Sequence, residues 1–216
     1  MSVLADASLA PSVDTAAELK RFLAPDCAAL IWRRKTPPDT LAWLQALDPE
    51  ALPRGRVIVP GNAVRDVVTQ FCDMSGLALG AHRDWLIDDI TALADAFGTL
   101  MGVRYLRLRL DVVTTNACRR FHIDAITARL VCTYRGTGTQ YGQAQDGDVP
   151  GIDTVPTGAP ILLRGSNWAP EPDRGLLHRS PPIEGTGETR LVLVLDPVFD
   201  PAEEADPVAV ERVHMH

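Results

Sequence analysis

A histidine and an aspartate stand two residues apart in the segment FHID, residues 121–124, at the end of a predicted strand over Arg119–His122. Residues i and i+2 of a β-strand point to the same face of the sheet. The imidazole of His122 and the carboxylate of Asp124 are therefore expected to converge on one metal ion. The alternative is that Asp124 only caps a structural histidine at a strand end.

A metal site of this kind needs a third ligand, and His178 is the candidate. It lies near the end of another short predicted strand, Gly175–His178. Two histidines and one carboxylate form the facial triad that leaves open positions on iron(II) for oxygen and substrate. Taken alone, His178 would be assigned to a turn, and its order after His122 and Asp124 is what makes it a candidate ligand.

A fourth polar residue, Arg190, opens the apolar run over residues 191–195. A guanidinium on an otherwise buried strand is unfavourable unless it is paired, so we expect Arg190 to meet a carboxylate. Asp111 or Glu188 would provide this partner at the rim of a sheet. The carboxylate of a bound cosubstrate would also provide it, and Arg190 would then be a binding residue.

The order of these residues resembles that of a known enzyme superfamily. An HxD pair, a distant histidine and an arginine on the last predicted strand occur in the 2-oxoglutarate and iron(II)-dependent dioxygenases, particularly in the prolyl-hydroxylase-like branch. The segment RLVCTYRGTGTQY, residues 129–141, is similar to the strand and turn that follow HxD there. The resemblance covers residues 104–196.

The resemblance implies a role for each of these residues. It implies that His122, Asp124 and His178 hold iron(II), and that Arg190 binds the distal carboxylate of 2-oxoglutarate. Tyr134 matches the tyrosine that shares this carboxylate in relatives. The implied activity is an Fe(II)- and 2-oxoglutarate-dependent oxygenase that hydroxylates a substrate, either a small molecule or a peptide, which the sequence does not identify.

Four segments, CRRFHID, CTYRGTGTQY, HRSPP and GTGETRLVLVLDP, also resemble an uncharacterised bacterial family defined by a domain of unknown function. Its loose association with zinc homeostasis leaves a second hypothesis open, a non-enzymatic, cupin-like protein that binds zinc instead of iron with the same ligands. Arg190 discriminates between the two, because a metal buffer needs no buried carboxylate clamp. A third hypothesis is a structural interaction domain that binds no metal.

The elements that must position these residues follow from the hydrophobic pattern. Leucine, isoleucine and phenylalanine recur at three- and four-residue steps over Ala81–Met101, which predicts a helix packed on a sheet. Shorter helices are predicted at Thr15–Leu23, Thr40–Leu47 and Ala63–Met74.

From Arg104 the polar and apolar residues alternate with a period of two, which predicts a half-buried strand. Further strands are predicted at Ala128–Tyr134, Pro160–Arg164 and Arg190–Asp196. On the last strand the leucines should face one side of the sheet and the valines the other. The Gly- and Pro-rich segment Gly142–Ala159 is expected to be a surface loop, and the sequence leaves open whether it acts as a lid.

This segregation of helices and strands predicts an α+β fold in one domain over residues 1–216. Its expected core is a double-stranded β-helix, of the jelly-roll or cupin-like kind, with N-terminal helices packed on it. Residues 1–102 would form the helical support, residues 103–198 the core with the metal site, and residues 199–216 a flexible tail.

The composition excludes several classes of function. With 21 basic and 28 acidic residues the formal charge is −7, so no general attraction to nucleic acid or anionic lipid is expected. No apolar run approaches the roughly 20 residues that span a bilayer, and we expect a cytoplasmic protein with no membrane partner. The four cysteines form no CxxC pair, and Cys118 is expected to be a small buried thiol. Asp88 and Asp89 are expected on a solvated helix face.

Overall fold

The computed structural model of the chain describes residues 10–145, 147–169 and 175–202. Most of the predicted tail therefore lies outside the described residues. The strands are β1 (Ser12–Val13), β2 (Ala29–Trp32), β3 (Gly55–Pro60), β4 (Tyr105–Val113), β5 (Ala128–Arg135), β6 (Gln140–Gln143), β7 (Asp153–Thr154), β8 (Pro160–Arg164), β9 (Leu176–Arg179) and β10 (Arg190–Val198). The α-helices are α1 (Pro38–Ala46), α2 (Val64–Met74) and α3 (Ala81–Met101), and the 3-10 helices are Ala16–Leu23, Pro49–Ala51 and Gly61–Ala63.

Seven strands form a large sheet in the order β1-β2-β8-β5-β10-β4-β3. Its neighbouring strands are antiparallel except for β1 and β2. One face of this sheet packs against α3, because the side chains of alternate residues on β4 and β10 enter the same buried cluster as those of the helix. The members from the two strands and the helix are Leu106, Leu108, Leu110, Leu191, Leu193, Leu195, Leu86, Ile90, Leu93 and Phe97.

Three strands form a small sheet in the order β7-β6-β9. It packs on the other face of the large sheet, because Tyr141 and Leu176 of the small sheet share a second buried cluster with Val192 and Val194 of β10. The predicted division of β10 into a leucine face and a valine face is thereby confirmed. Three of the candidate site residues, His122, His178 and Arg190, line a cavity between these two sheets.

The predicted α-helices are confirmed within a few residues, and α3 has the predicted bounds. The segment Thr15–Leu23 is helical from Ala16, but as a 3-10 helix. The predictions for Pro160–Arg164 and the strand beginning at Arg190 are also confirmed, although β10 continues to Val198. No helix among the described residues is long and apolar enough to cross a membrane.

The expectation that the first hundred residues are helical is wrong in part, because β1, β2 and β3 lie there. These strands extend the large sheet at both edges. The segments ALIW of β2 and GRVIVP of β3 are short apolar runs, and periodicity alone does not distinguish such runs from buried helix. What makes them strands is pairing with β8 and β4, which are distant in sequence.

Two predictions for the C-terminal half are corrected. The segment Arg119–His122 is not a regular strand, and only His122 takes part in a β-bridge. The segment Gly142–Ala159 is not an unpacked loop, because it contains β7 and buries the side chains of Val149 and Val155. A segment that contributes side chains to the interior is held in place by them, so nothing in its packing supports a lid.

Candidate metal centre

His122 and His178 lie side by side because their backbones pair. The His122 N–H donates to the His178 carbonyl at 3.0 Å, and the His178 N–H donates to the His122 carbonyl at 3.1 Å. Residues paired in this way direct their side chains to the same face. Their imidazole rings are accordingly 4.6 Å apart, measured between centroids.

The Asp124 carboxylate lies against both imidazoles. Its Oδ1 atom is 3.5 Å from His122 Nε2, and its Oδ2 atom is 3.0 Å from His178 Nε2. One possible ligand atom from each of the three residues lies within 4.8 Å of the others. The structure thus brings together the three residues that the sequence suggested as metal ligands.

The backbone after Asp124 is fixed by close packing against Gly165. The Ser166 N–H donates to the Asp124 carbonyl at 2.9 Å. A Cβ atom at position 165 would lie 2.7 Å from this carbonyl oxygen and 1.9 Å from that of Ile126. Only glycine allows this approach, which holds the turn that carries the carboxylate.

The hydrogen bonds of His122 favour a cation between the three side chains. Its Nδ1 atom is 2.8 Å from the Arg120 carbonyl, which can only accept, so Nδ1 carries the proton in the neutral ring. The Nε2 lone pair then faces the Asp124 carboxylate. Asp124 Oδ2 is buried and has no hydrogen-bond partner among the described residues, although His178 is close. Two acceptors that face each other, His122 Nε2 and the Asp124 carboxylate, fit a divalent metal ion between them, iron(II) included, and so does a buried oxygen without a donor.

Arg129 holds the other oxygen of this carboxylate. Its NH1 atom is 2.6 Å from Asp124 Oδ1, while Nε and NH2 donate to the two oxygens of Asp196 at 2.7 and 2.8 Å. Burial by itself would raise the pKa of Asp124, but the close contact with His178, the charge of Arg129 and the proximity of both imidazoles lower it to about 2. Asp124 therefore stays ionised, as a metal ligand must.

Arg190 is 2% exposed and has neutral acceptors around it. Its Nε donates to the Thr137 carbonyl at 2.6 Å, and its NH2 lies 3.3 Å from Thr133 Oγ1. Among the described residues no carboxylate forms an ion pair with it. Glu188, one expected partner, instead accepts hydrogen bonds from the N–H and hydroxyl of Thr137. Burial lowers the pKa of Arg190 to about 10, although the charge of Glu188 opposes this.

Two features of the backbone, a register shift in β10 and a turn at Gly136, position the Arg190 side chain. The register between β5 and β10 shifts between Leu191 and Val192, an irregularity that re-aims side chains and is frequent beside active sites. Gly136 adopts a φ of +79°, and a Cβ atom there would lie 2.9 Å from Arg190 Cγ. Glycine at this turn lets the Thr137 carbonyl reach the guanidinium.

His122, His178 and Arg190 share one cavity of about 130 Å³ between the large sheet and the bridge of His122 with His178. Cavities near this size accept a six-carbon molecule. Val192 and Val194 form part of its apolar wall. The arginines in its lining are Arg109, Arg129, Arg179 and Arg190.

The structure does not bring Tyr134 to this cavity, and the expectation that it shares a cosubstrate carboxylate is corrected. Side chains alternate along β5, so Thr133 faces Arg190 while Tyr134 faces the helices. Its hydroxyl donates to Asp89 Oδ2 at 2.5 Å. Tyr141 is opposite His178 in the pairing of β6 with β9 and is buried between the two sheets, but it does not line the cavity.

Two smaller expectations are also corrected. Cys118 is exposed rather than buried, and it lies in the lining of the cavity beside His122. Asp89 is not on a solvated face, because it forms an ion pair with Arg34 and accepts the hydrogen bond from Tyr134.

The fold of this chain is similar to that of solved dioxygenases. The dioxygenase for auxin oxidation 1 from Arabidopsis thaliana, solved with 2-oxoglutarate, aligns with 93% of this chain and 99% of its own at 10% identity, with a TM-score of 0.54. The corresponding rice enzyme aligns over 93% and 89% at 15% identity (TM-score 0.49). A Pseudomonas putida prolyl-4-hydroxylase aligns over 86% and 100% at 18% identity (TM-score 0.44).

The sequence itself assigns the family. The chain belongs to the family described as protein of unknown function DUF1826, whose sequence profile matches residues 13–196. No curated protein matches the sequence. The likeness to the Arabidopsis enzyme is a likeness of fold.

Proposed function

We propose that this protein is an Fe(II)- and 2-oxoglutarate-dependent oxygenase that hydroxylates its substrate. The observation that carries the proposal is the buried guanidinium of Arg190, which has no carboxylate partner among the described residues and lines the same cavity as His122 and His178. A buried cation is unfavourable without a counter-charge. A dicarboxylate bound between Arg190 and the metal would supply that counter-charge.

The arrangement of the sheets supports a double-stranded β-helix. Strands β8, β5, β10 and β4 are adjacent in the large sheet, and the bridge of His122 with His178 adds a fourth member to β9, β6 and β7. Four antiparallel segments then face four others. In this arrangement the metal ligands come from the segments at one edge and Arg190 from the facing sheet.

Each residue has a separate part in this proposal. His122 Nε2, Asp124 Oδ2 and His178 Nε2 would hold the metal, and iron(II) would supply oxygen activation coupled to decarboxylation of the oxoacid. Arg190 would bind the distal carboxylate of 2-oxoglutarate, oriented by its hydrogen bonds to the Thr137 carbonyl and the Thr133 hydroxyl.

Two kinds of residue prepare the site without contacting the reacting atoms. Arg129 holds Asp124 by its Oδ1 atom, which leaves Oδ2 for the metal. Val131, Val192 and Val194 line the cavity with apolar surface and exclude water from it.

The experiment is an anaerobic calorimetric titration of the metal-loaded protein with 2-oxoglutarate. We expect Arg190→Met to keep the metal but to raise the Kd for 2-oxoglutarate at least about tenfold, or 1.4 kcal/mol. Arg65→Met, on the exposed side of α2, removes the same charge far from the cavity and should leave the Kd unchanged. His122→Ala and His178→Ala should lose the metal itself.

The titration also separates the two metal-binding hypotheses. A zinc-binding module would use the same three ligands but would have no ligand for Arg190. If the metal site is shown to be full and millimolar 2-oxoglutarate does not bind, the oxygenase proposal is wrong and the metal-binding module is the better account.

A further inference from the structure

We propose that the substrate carries an anionic group, a carboxylate or a phosphate, and that Arg56 and Arg109 bind this group beside the metal centre. That this ligand is a substrate depends on the proposed function. The anion site itself depends only on the two arginines, which no role in metal or 2-oxoglutarate binding explains.

Arg56 and Arg109 are directly opposite each other in the antiparallel pairing of β3 with β4. Opposite residues of such a pair share a face of the sheet, and like charges in these positions destabilise it. Among the described residues no carboxylate forms an ion pair with Arg56. The fold therefore keeps two positive charges opposite each other. Such an unfavourable pair is expected at a binding site, where the charge of a ligand offsets the repulsion.

The positive charge of Arg109 is only weakly balanced by the carboxylates of the described residues. Its side chain is 22% exposed, yet its Nε atom is buried without a hydrogen-bond partner among the described residues. The carboxylate nearest to it, that of Asp196, is 3.9 Å away and already accepts two short hydrogen bonds from Arg129. Burial and the charge of Arg129 lower the pKa of Arg109, although Asp196 and Asp111 oppose this.

The position of Arg109 separates it from the proposed 2-oxoglutarate site. Both Arg109 and Arg190 line the metal cavity. On β4, however, the residue opposite Arg190 is Val113, four positions from Arg109. Four residues of strand span about 13 Å, so the two side chains leave the backbone at well-separated positions on the cavity wall, and we assign them to different anionic groups. An anion held at Arg109 would anchor a substrate whose remaining part extends toward the metal.

The overall charge of the chain favours a small anion bound at a specific site over a general attraction to anions. The chain carries a formal charge of −7, so it does not attract anions in general. Two arginines on opposite residues of one sheet face can offer paired N–H donors to a carboxylate or a phosphate. An extended polyanion would be repelled by the acidic remainder of the protein.

The test uses inorganic phosphate and acetate as probes, on zinc-loaded protein saturated with 2-oxoglutarate so that Arg190 is occupied. Calorimetric titration and melting curves are compared with chloride at equal ionic strength. We expect saturable binding of phosphate or acetate, weakened at least about tenfold in Arg56→Gln and Arg109→Gln and unchanged in Arg65→Gln. The tighter of the two probes identifies the chemical class of the substrate group.

A charge reversal provides a second, independent measurement. Arg56→Glu places an acid opposite Arg109, so without added anion its melting temperature should rise above that of the wild type. The same variant should no longer bind either probe. An arginine pair with a purely structural role would give the opposite result, a lower melting temperature.

The proposal is overturned if wild-type protein binds neither probe, or if Arg56→Gln and Arg109→Gln bind as the wild type does. Should 2-oxoglutarate itself fail to bind, the titrations are run without it. The comparison of the Arg56 and Arg109 variants then still decides the anion site, so its failure and that of the oxygenase proposal are distinguishable.

Discussion

Arg129 contacts Asp124 through one oxygen only, with its NH1 atom 2.6 Å from Oδ1, and leaves Oδ2 facing His178. The guanidinium is itself fixed by two hydrogen bonds to Asp196, which is 2% exposed. The carboxylate expected to bind metal is thus oriented from behind by a buried ion pair. Partners of this kind orient a ligand and set its affinity for the metal.

Replacing Arg129 should therefore weaken the metal site without removing a ligand. We expect Arg129→Met to reduce metal affinity by about 10- to 100-fold, because Asp124 would rotate freely and Asp196 would lose its partner. Arg129→Lys should recover part of this loss. Competitive titration with a chelating dye measures the affinity, and Arg65→Met serves as the control. Unchanged affinity in Arg129→Met would show that the contact has no part in metal binding.

The ionisation of Asp124 predicts a pH dependence of folding stability in the metal-free protein. Its pKa is lowered from 3.8 to about 2, so the folded state favours the carboxylate. The stabilisation is present above the unfolded pKa, near pH 4, and is lost as the pH falls through about 2. At 1.36 kcal/mol per pKa unit it amounts to roughly 2 kcal/mol.

The measurement compares wild type with Asp124→Asn by denaturant unfolding between pH 2 and 6. The variant should be less stable at pH 4 to 6, and the difference should disappear toward pH 2. A difference that stays constant over this range would contradict the lowered pKa.

The metal ligands could be anticipated from the sequence, but for a reason that differs from the expected one. The i, i+2 geometry of a strand does not hold here, because residues 119–122 form no regular strand and only His122 of that segment is bridged. His122, Asp124 and His178 still converge, because this single bridge places one histidine beside the other. The sequence does not show that Tyr134 points away from the cavity, because the side of β5 that faces the cavity is set by its pairing with β10.

Long-range strand pairing also explains which parts of the fold the sequence does not predict. The helix α3 shows its own period, so its bounds follow from local residues. The strands β2 and β3 become strands only by joining β8 and β4. Asp89 lies on α3 in a pattern typical of a solvated residue, and only the docking of β5 provides Tyr134 as its partner.

The leucine face of β10 predicts a large loss of stability on truncation. Leu193 is fully buried in the cluster between the large sheet and α3. Leu193→Ala should lower the free energy of unfolding by about 2 to 5 kcal/mol, through lost burial and the cavity that remains. Denaturant unfolding measures the change, with Leu79→Ala at an exposed position as the control. A loss below about 1 kcal/mol would contradict the packing.

Replacing Tyr134 should affect stability and leave the cavity unchanged. Tyr134→Phe keeps the buried ring but removes the hydroxyl that donates to Asp89, and a hydrogen bond to a charged group contributes about 1.5 to 3 kcal/mol. Asp89 retains its ion pair with Arg34, which favours the lower end of this range. Tyr105→Phe, at the start of β4, is the control. The Kd for 2-oxoglutarate should equal that of the wild type, because Tyr134 faces the helices. An increased Kd with unchanged stability would instead support the role that the sequence resemblance implied for Tyr134.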